Sequence, residues 1–149
     1  MKISTKGRYG LRAMVDIALN SGGDFIPLKL IAERQNISEN YLEQVFSTLR
    51  KSDLIKSVRG SQGGYALSRE ASMITVGEVL RTLEGELSIT GDDNSNTSSF
   101  ERSIEDCISI TVWQEVNKNI NKVVDSITLE DLVNQYKKLN GEFILDFSI

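Results

Sequence analysis

Histidine is absent from this sequence of 149 residues, and cysteine and proline occur once each. The lone Cys107 excludes an internal disulfide framework, which agrees with a reducing cytoplasm. Without histidine, and with its one thiol in an apolar stretch, the chain offers no nucleophile–base pair and no phosphate-loop signature. We therefore expect that the protein is not an enzyme.

Long hydrophobic runs are also missing. No apolar stretch approaches the roughly 20 residues that a membrane-spanning helix needs. The first ten residues, MKISTKGRYG, turn polar at once and lack the apolar core of a secretory signal. We expect a cytoplasmic protein with no membrane partner, and its 40% of hydrophobic residues suffices for a folded core.

The net charge of −4 is unevenly distributed along the chain. Residues 1–66 carry 10 Lys and Arg against 6 Asp and Glu, a balance of +4. Residues 67–149 carry 7 against 15, a balance of −8. A basic half beside an acidic half indicates contact of the basic half with nucleic acid, although such charges also serve merely to solvate a surface.

Hydrophobic periodicity divides the sequence into helices and one hairpin. Apolar spacings of three and four residues predict helices over 6–20, 28–35, 38–51, 75–83, 104–127 and 128–138. Two short β patterns, 54–58 and 65–67, flank a glycine-rich tip and predict a β-hairpin. Ser38 suits the N-cap of the third helix, and Thr75 with Glu78 matches a capping box at the start of the fourth.

The second half of the chain is organised differently. Residues 84–103 are polar and acidic, which predicts a flexible loop or linker, and an apolar tail covers residues 143–149. The helix over 104–127 would be about 36 Å long, more than a domain of this size covers by itself. We predict three parts: a DNA-binding domain (1–84), an acidic flexible loop (85–103), and a dimerisation helix with a C-terminal segment (104–149).

Two short helices, a tight turn and a glycine-tipped hairpin together predict a mainly α fold with a small β-hairpin. The predicted fold is a winged helix-turn-helix DNA-binding domain, followed by a long dimerisation helix. The second of the two helices fits the major groove, where base edges are distinguishable. Its candidate DNA-reading residues are Ser38, Asn40, Tyr41, Glu43, Gln44 and Ser47. The same pattern also suits an ordinary amphipathic helix with a solvated polar face.

Within that set, Gln44 could pair with adenine and Glu43 could accept from cytosine. The hairpin tip, or wing, could approach a narrow minor groove because glycines avoid side-chain collision and an arginine supplies the cation. The wing residues are Arg59, Gly60, Ser61, Gln62 and Gly63. Candidate phosphate contacts, which set register without reading sequence, are Lys2, Ser4, Lys6, Arg8, Arg50, Lys51 and Lys56.

Several motifs carry a family resemblance: MKISTKGRYGLRAMVDIAL, YLEQ, RGSQGGY, ITVGEVLRTLEG and SITLEDLV. In this order they resemble the IscR-type transcriptional regulators of the Rrf family, with features of its CymR branch. The resemblance implies a homodimer that binds a pseudo-palindromic operator, with residues 38–51 in the major groove and the wing in the minor groove. It also implies a regulator, expected to be a repressor, of genes for iron–sulfur cluster biogenesis or for cysteine and sulfur metabolism.

Several members of this family bind an iron–sulfur cluster through three cysteines and one further ligand. Cys107 falls at the place of the last cysteine, and the other ligand positions fall near Ser95 and Glu101 and at Ile110. Because thiolates dominate iron–sulfur ligation, we expect no cofactor in this chain and DNA binding in the apo form.

Cys107 itself has three interpretations. It is a small buried hydrophobe on the long helix, a redox-responsive thiol, or the remnant of a ligand set whose other cysteines are replaced. Sensing through a protein partner, without any cofactor, is a further possibility that the CymR-like features favour.

The long helix carries an apolar stripe at heptad spacing, formed by Trp113, Val116, Ile120, Val123 and Ile127. The stripe suits a dimer seam, although it could also pack on its own domain. A dimer would bind two half-sites as one unit. A competing function is that of a winged-helix protein-interaction module with no role in DNA binding, which the acidic second half would suit.

Overall fold

The computed structural model describes residues 1–91 and 101–141. The helices are α1 (Thr5–Asn20), α2 (Leu28–Gln35), α3 (Glu39–Lys51), α4 (Val76–Glu84), α5 (Ile104–Ile108), α6 (Gln114–Asp125) and α7 (Leu129–Leu139). The strands are β1 (Ile55–Val58) and β2 (Gly64–Leu67), and a 3₁₀ turn (Ala71–Met73) precedes α4. The predicted mainly α fold with one β-hairpin is confirmed. The middle of the predicted acidic loop (92–100) and the whole apolar tail (143–149) lie outside the described residues.

The helix-turn-helix forms where the sequence predicts it. Asn36 ends α2 in the left-handed conformation, with φ 54°. The Ser38 hydroxyl then caps α3 by accepting from the Tyr41 N–H at 3.2 Å. Met14 of α1 and Phe46 of α3 are fully buried in one cluster that also includes the inner side of α2. This cluster fixes the three helices against one another.

The wing also pairs with a residue outside the hairpin, through an isolated β-bridge that the sequence analysis did not predict. β1 and β2 pair antiparallel, with Ile55 opposite Leu67. Ile26 pairs with Tyr65 through two backbone hydrogen bonds of 2.9 and 2.8 Å. A side chain at Gly64 would lie 2.2 Å from the Ile26 carbonyl oxygen, so only glycine permits this close approach. The wing is therefore tied to the segment that leads into α2.

Two glycines let α4 approach its neighbours closely. A Cβ at Gly10 of α1 would lie 2.1 Å from the Leu83 side chain, and one at Gly77 would lie 2.0 Å from the Asp125 carboxylate. Arg81 of α4 also donates to Asp125 at 2.6 Å. As a result α4 lies between α1 on one side and α6 on the other.

The long helix differs from its prediction in two respects. First, a π-helical segment (Ser109–Trp113) separates α5 from α6. Second, α6 ends at Asp125 with Ser126 as its C-cap, so Ile127 is not part of the helix. An extra residue per turn in a π segment shifts the helix faces on either side. No described helix is long and apolar enough to span a membrane.

The last helix, α7, returns to the N-terminal core. Val76 and Leu129 donate backbone hydrogen bonds of 2.8 and 2.9 Å that join the starts of α4 and α7. Leu129 is fully buried in the same cluster as Met14 and Phe46. The core of the helix-turn-helix therefore includes a residue from the far end of the chain.

The predicted capping box at Thr75 is only half formed. The Thr75 hydroxyl accepts from the Glu78 N–H at 3.1 Å, but the Glu78 carboxylate binds Arg69 at 2.5 Å. The Glu78 carboxylate therefore does not complete the box by accepting from the Thr75 N–H. Complete boxes form instead at Ser103 and at Thr128, which cap α5 and α7.

Candidate nucleic-acid interface

The two sides of α3 differ sharply in exposure. Leu42, Val45, Phe46 and Leu49 are buried against the core. Ser38, Asn40, Glu43 and Gln44 are exposed, whereas Tyr41 and Ser47 are half-buried. The Tyr41 ring packs edge-on against Tyr9 of α1, with ring centroids 6.0 Å apart. The outer face of α3 is therefore short, polar and fixed by its buried side.

A concave surface of about 470 Å³ lies between α3 and the wing. The predicted DNA-contacting residues that line it are Glu43, Ser47, Arg50, Arg59, Gly60 and Gly63. Arg50 donates to the Ser57 hydroxyl of β1 at 3.2 Å, which links the end of α3 to the hairpin. The other predicted residues of the helix and wing sets do not line this concavity; they are Ser38, Asn40, Tyr41, Gln44, Ser61 and Gln62. The structure thus joins one part of the predicted helix set to one part of the predicted wing set.

The predicted phosphate-contacting residues fall into two groups. Lys2, Arg50, Lys51 and Lys56 are exposed and Lys6 is half-buried. Lys56 lies over the Phe25 ring, 5.9 Å from its centroid.

Ser4 and Arg8 make up the second group. The Ser4 hydroxyl donates to a carboxylate oxygen of Glu84, so the hydroxyl hydrogen already has an acceptor within the chain. The same oxygen also accepts from the Gly7 N–H at 3.1 Å. Arg8 lines a separate groove between α1 and α7. Both side chains therefore have surroundings other than the concavity between α3 and the wing.

A buried carboxylate that the sequence analysis missed holds α2 on α1. Asp16 is 3% exposed and accepts from Arg34 at 2.7 and 2.9 Å and from Gln35 at 2.9 Å. The hydrogen bond to Asp16 raises the pKa of the Arg34 guanidinium above its usual value. The sequence signal that could have revealed this pair is an aspartate within the apolar run of α1, because a buried charge needs a partner. The pair sets the position of α2, and thereby the turn that leads into α3.

The predicted dimer-seam residues have two different environments. Val116 and Val123 are exposed, at 37% and 57%, and Trp113 is half-buried. Ile120 and Ile127 pack instead on a cluster of their own chain that contains Leu80 and other residues. Packing of the stripe on its own domain thus holds for Ile120 and Ile127, whereas a dimer seam stays a prediction for the exposed residues.

Cys107 is exposed on α5, so the interpretation of a buried small hydrophobe is wrong. The side of α5 and the π segment that faces inward buries Asp106 and Ser109 instead. No group of three or more His, Cys, Asp or Glu side chains that could hold a metal occurs among residues 1–91 and 101–141. With one cysteine and no histidine in the whole chain, the donor set does not fit a conventional iron–sulfur cluster.

A two-helix element with its second helix exposed, followed by a hairpin on the same concave surface, defines a winged helix-turn-helix. Three comparisons with known proteins agree with this fold. The Rrf2 family, described as an iron-dependent transcriptional regulator, matches residues 3–135. The HTH-type transcriptional regulator IscR of Escherichia coli (strain K12 / DH10B) is 39% identical over 140 residues, covering 94% of this chain and 85% of that protein.

Solved structures of similar proteins point the same way. IscR of T. potens has a TM-score of 0.74 and 45% identity, covering 93% of this chain and 90% of its own. CymR, the global cysteine regulator of B. subtilis, has a TM-score of 0.76 and 41% identity, covering 91% and 98%. The chain belongs to the Rrf2 family of transcriptional regulators. Its matched relatives are DNA-binding regulators rather than enzymes, as the sequence predicts.

Proposed function

We propose that this chain is a homodimeric repressor that binds a pseudo-palindromic operator. The observation that carries the proposal is the concave surface shared by the outer face of α3 and the wing, in a chain of a transcriptional-regulator family. An α-helix fits the major groove, and a glycine-rich tip with an arginine fits the minor groove beside it. One surface can therefore contact two grooves of a single duplex.

Base reading is assigned to the exposed polar residues of α3. Gln44 pairs with adenine through its amide, and Glu43 accepts from the cytosine amino group. Asn40 is exposed near the helix start, within reach of base edges or phosphates. Ser38, Tyr41 and Ser47 complete this set, with Tyr41 held in place by Tyr9.

The remaining contacts position the protein without reading sequence. Arg59 enters the minor groove, and Gly60, Ser61, Gln62 and Gly63 allow the backbone to follow it. Lys2, Lys6, Arg50, Lys51 and Lys56 approach phosphates on either side. Because these contacts release counterions, binding falls steeply as salt is raised.

Dimerisation is assigned to the helix that follows the acidic loop. Val116 and Val123 are exposed on α6 although they are apolar, and Trp113 is half-exposed beside them. Covering these side chains by a second copy removes apolar surface from water. Two copies place two α3 helices on successive half-sites, which turns modest base contacts into a useful affinity.

The regulated genes are proposed from the relatives. IscR and CymR are the matched regulators, and CymR is a global cysteine regulator, so genes of iron–sulfur cluster biogenesis or of cysteine and sulfur metabolism are the candidates. The donor set of this chain lacks the thiolates for a cluster, so DNA binding is assigned to the apo protein. A signal then reaches the repressor through a protein partner or through the exposed Cys107 thiol.

The test starts with selection of genomic DNA fragments that the purified protein retains. Fluorescence anisotropy then measures affinity for the selected operator against a scrambled duplex at several salt concentrations. We expect saturable binding with a strong operator preference and a steep salt dependence. Equal affinity for the two duplexes would overturn the proposal and would favour a protein-interaction module.

Two substitutions test the groove assignment. Gln44→Ala should reduce operator preference by about 1–3 kcal/mol because one base contact is lost. Arg59→Ala should weaken binding by removing the cation from the minor groove. Lys138→Ala removes the same charge from the exposed last turn of α7 and should leave binding unchanged. If both variants match the unsubstituted protein on the operator, the groove assignment is wrong.

The cofactor assignment has its own measurement. Protein purified without oxygen should be colourless, contain no bound iron and retain operator binding, since one thiolate per chain cannot hold a cluster. Visible absorbance together with bound iron would contradict this assignment.

A further inference from the structure

The side chain of Arg59 makes no hydrogen bond or ion pair with another residue in the part of the chain that the structure describes. Its place beside α3 therefore depends on the backbone of the hairpin. Val58, the residue before it, pairs with Gly64 on the other strand. The contacts that hold Gly64 in place thus also determine where Arg59 lies.

Gly64 lies directly against the segment that leads into α2. A Cβ at this position would lie 2.2 Å from the Ile26 carbonyl oxygen and 2.7 Å from the Pro27 nitrogen. Both neighbours are backbone atoms, which cannot swing away as the end of a long side chain can. Ile26 is 6% exposed and belongs to the main core cluster. A larger residue at position 64 would therefore move the hairpin rather than Ile26.

Tyr65, the next residue, joins the hairpin to two elements at once. Its backbone N–H and carbonyl pair with those of Ile26 through hydrogen bonds of 2.8 and 2.9 Å. Its ring packs on the ring of Phe46, with centroids 4.7 Å apart and the planes inclined by 60°. Phe46 is fully buried two residues beyond Gln44, and therefore lies on the opposite side of α3. The hairpin and the DNA-facing side of α3 are thus held by the same core.

Two further contacts restrain β1 more weakly. Arg50 donates to the Ser57 hydroxyl at 3.2 Å, and the Lys56 ammonium lies 5.9 Å from the centroid of the Phe25 ring. Both contacts involve an exposed cation, for which water competes. The backbone pairing with Ile26 and the ring contact with Phe46 are therefore the main restraints on the hairpin.

A wing that is fixed before DNA arrives binds more tightly than a free one. Fixing each mobile backbone residue costs free energy of the same order as one hydrogen bond to a charged group returns. A free wing of several residues would therefore lose most of what Arg59 contributes when it enters a groove. A wing already held through Ile26 and Phe46 has lost that freedom during folding.

We propose that Gly64 and Tyr65 are positioning residues. They hold the wing at a fixed distance from α3, so that Arg59 reaches the minor groove when Gln44 reaches the major groove. The inference rests on the proposed DNA contact and goes beyond it, because neither positioning residue is among the predicted DNA contacts. It also makes Ile26, outside both the hairpin and the helix-turn-helix, the point at which the wing is attached.

A cycle of double substitutions, with affinity for the selected operator as the readout, tests Gly64. Arg59→Ala should weaken binding at least about tenfold in the otherwise unsubstituted protein. Together with Gly64→Ala, the same change should weaken binding less than about twofold, because the displaced wing no longer brings Arg59 to the groove. Gln44→Ala should have the same effect with and without Gly64→Ala, since α3 is held by its own buried side. A full Arg59 effect beside Gly64→Ala, or loss of the Gln44 effect as well, would overturn the assignment.

Gly22→Ala is the matched control. Gly22 has a positive φ of 47° in the linker between α1 and α2, but a Cβ there would meet nothing within 4 Å. The substitution therefore strains the backbone without displacing a neighbour. The effect of Arg59→Ala should stay within about twofold of its full value. Loss of that effect beside Gly22→Ala would mean that it reports lowered stability alone, which would contradict the positioning role.

Tyr65 is tested with a conservative and a truncating variant. Tyr65→Phe keeps a ring on Phe46, so Arg59→Ala should weaken binding by its full factor. Tyr65→Ala removes the ring contact and should reduce that factor to below about threefold. Equal factors in the two variants would refute the role of the Tyr65 ring.

Amide hydrogen exchange of the unsubstituted protein without DNA tests the fixed wing and needs no variant to fold. The Ile26 and Tyr65 amides should exchange at least about 100-fold more slowly than those of Ser61 and Gln62 at the exposed tip. Equally fast exchange at the two places would overturn the inference. Circular dichroism checks the fold of each variant, and hydrogen exchange remains decisive if one of them is unfolded.

Failure of the inference and failure of the proposed function give different results. Slow exchange at Ile26 and Tyr65 in a protein that binds no operator refutes the repressor function and leaves the fixed wing standing. Operator binding with a full Arg59 effect beside both Gly64→Ala and Tyr65→Ala refutes the inference alone.

Discussion

The helix-turn-helix and the long helix that follows the acidic loop differ in what they bury. α1 and α3 bury large apolar side chains completely, among them Met14, Ile17, Leu42 and Phe46. α6 has no buried residue, although Val116 and Val123 lie on it. The first region has the core it needs, whereas the second exposes apolar surface that we propose a second copy covers. We therefore expect stability and assembly to be separable properties of this chain.

The largest expected effect is a cavity in the core of the first region. Phe46→Ala should lower the free energy of unfolding by about 3–5 kcal/mol because the ring is fully buried. Val123→Ala, on the exposed side of α6, should change that of the monomer by less than about 0.5 kcal/mol. Chemical denaturation at low protein concentration measures both values. Similar losses for the two variants would contradict the comparison.

Two ion pairs allow the same comparison for charge. Asp16→Asn should cost about 1–3 kcal/mol, because the buried carboxylate that accepts from Arg34 and Gln35 is lost. Asp125→Asn alters a pair in which both side chains are a third or more exposed, and it should cost about 0–1 kcal/mol. Chemical denaturation of the two variants measures the free energy of unfolding that each substitution costs. An equal or larger cost at Asp125 would show that the α4–α6 contact carries the stability.

Two caps give the smallest effect. Ser38 and Ser103 both cap a helix through the side-chain hydroxyl. Ser38→Ala should lower global stability by about 1 kcal/mol, since α3 belongs to the core. Ser103→Ala should leave global stability nearly unchanged and instead speed amide hydrogen exchange in α5. An equal loss of global stability in the two variants would remove the distinction between the regions.

The helices of the first region were predictable because local signals and the core agree there. Ser38 caps α3 at the expected residue, and its apolar spacing matches the side that is buried. The isolated bridge at Ile26 and the return of Leu129 to the core were not predictable, since both depend on contacts between distant segments. The half-formed box at Thr75 has the same cause, because Arg69 competes for Glu78 through the tertiary fold.

In the candidate site, too, the local features were predictable and the contacts with distant segments were not. Exposure of Asn40, Glu43 and Gln44 follows from helical periodicity. The different surroundings of Ser4 and Arg8 do not, because Glu84 and the α7 wall come from far along the chain. Exposure of Cys107 was also missed, because the polar residues Asp106 and Ser109, rather than the apolar ones, face inward there.

The central claim is that paired α3 helices read two half-sites of one operator. Sedimentation of the protein with a duplex carrying both half-sites, and with one in which a single half-site is scrambled, tests it most directly. We expect two chains on the intact duplex and at least about 100-fold weaker binding to the scrambled one. One chain per duplex, with the same affinity for both duplexes, would contradict it.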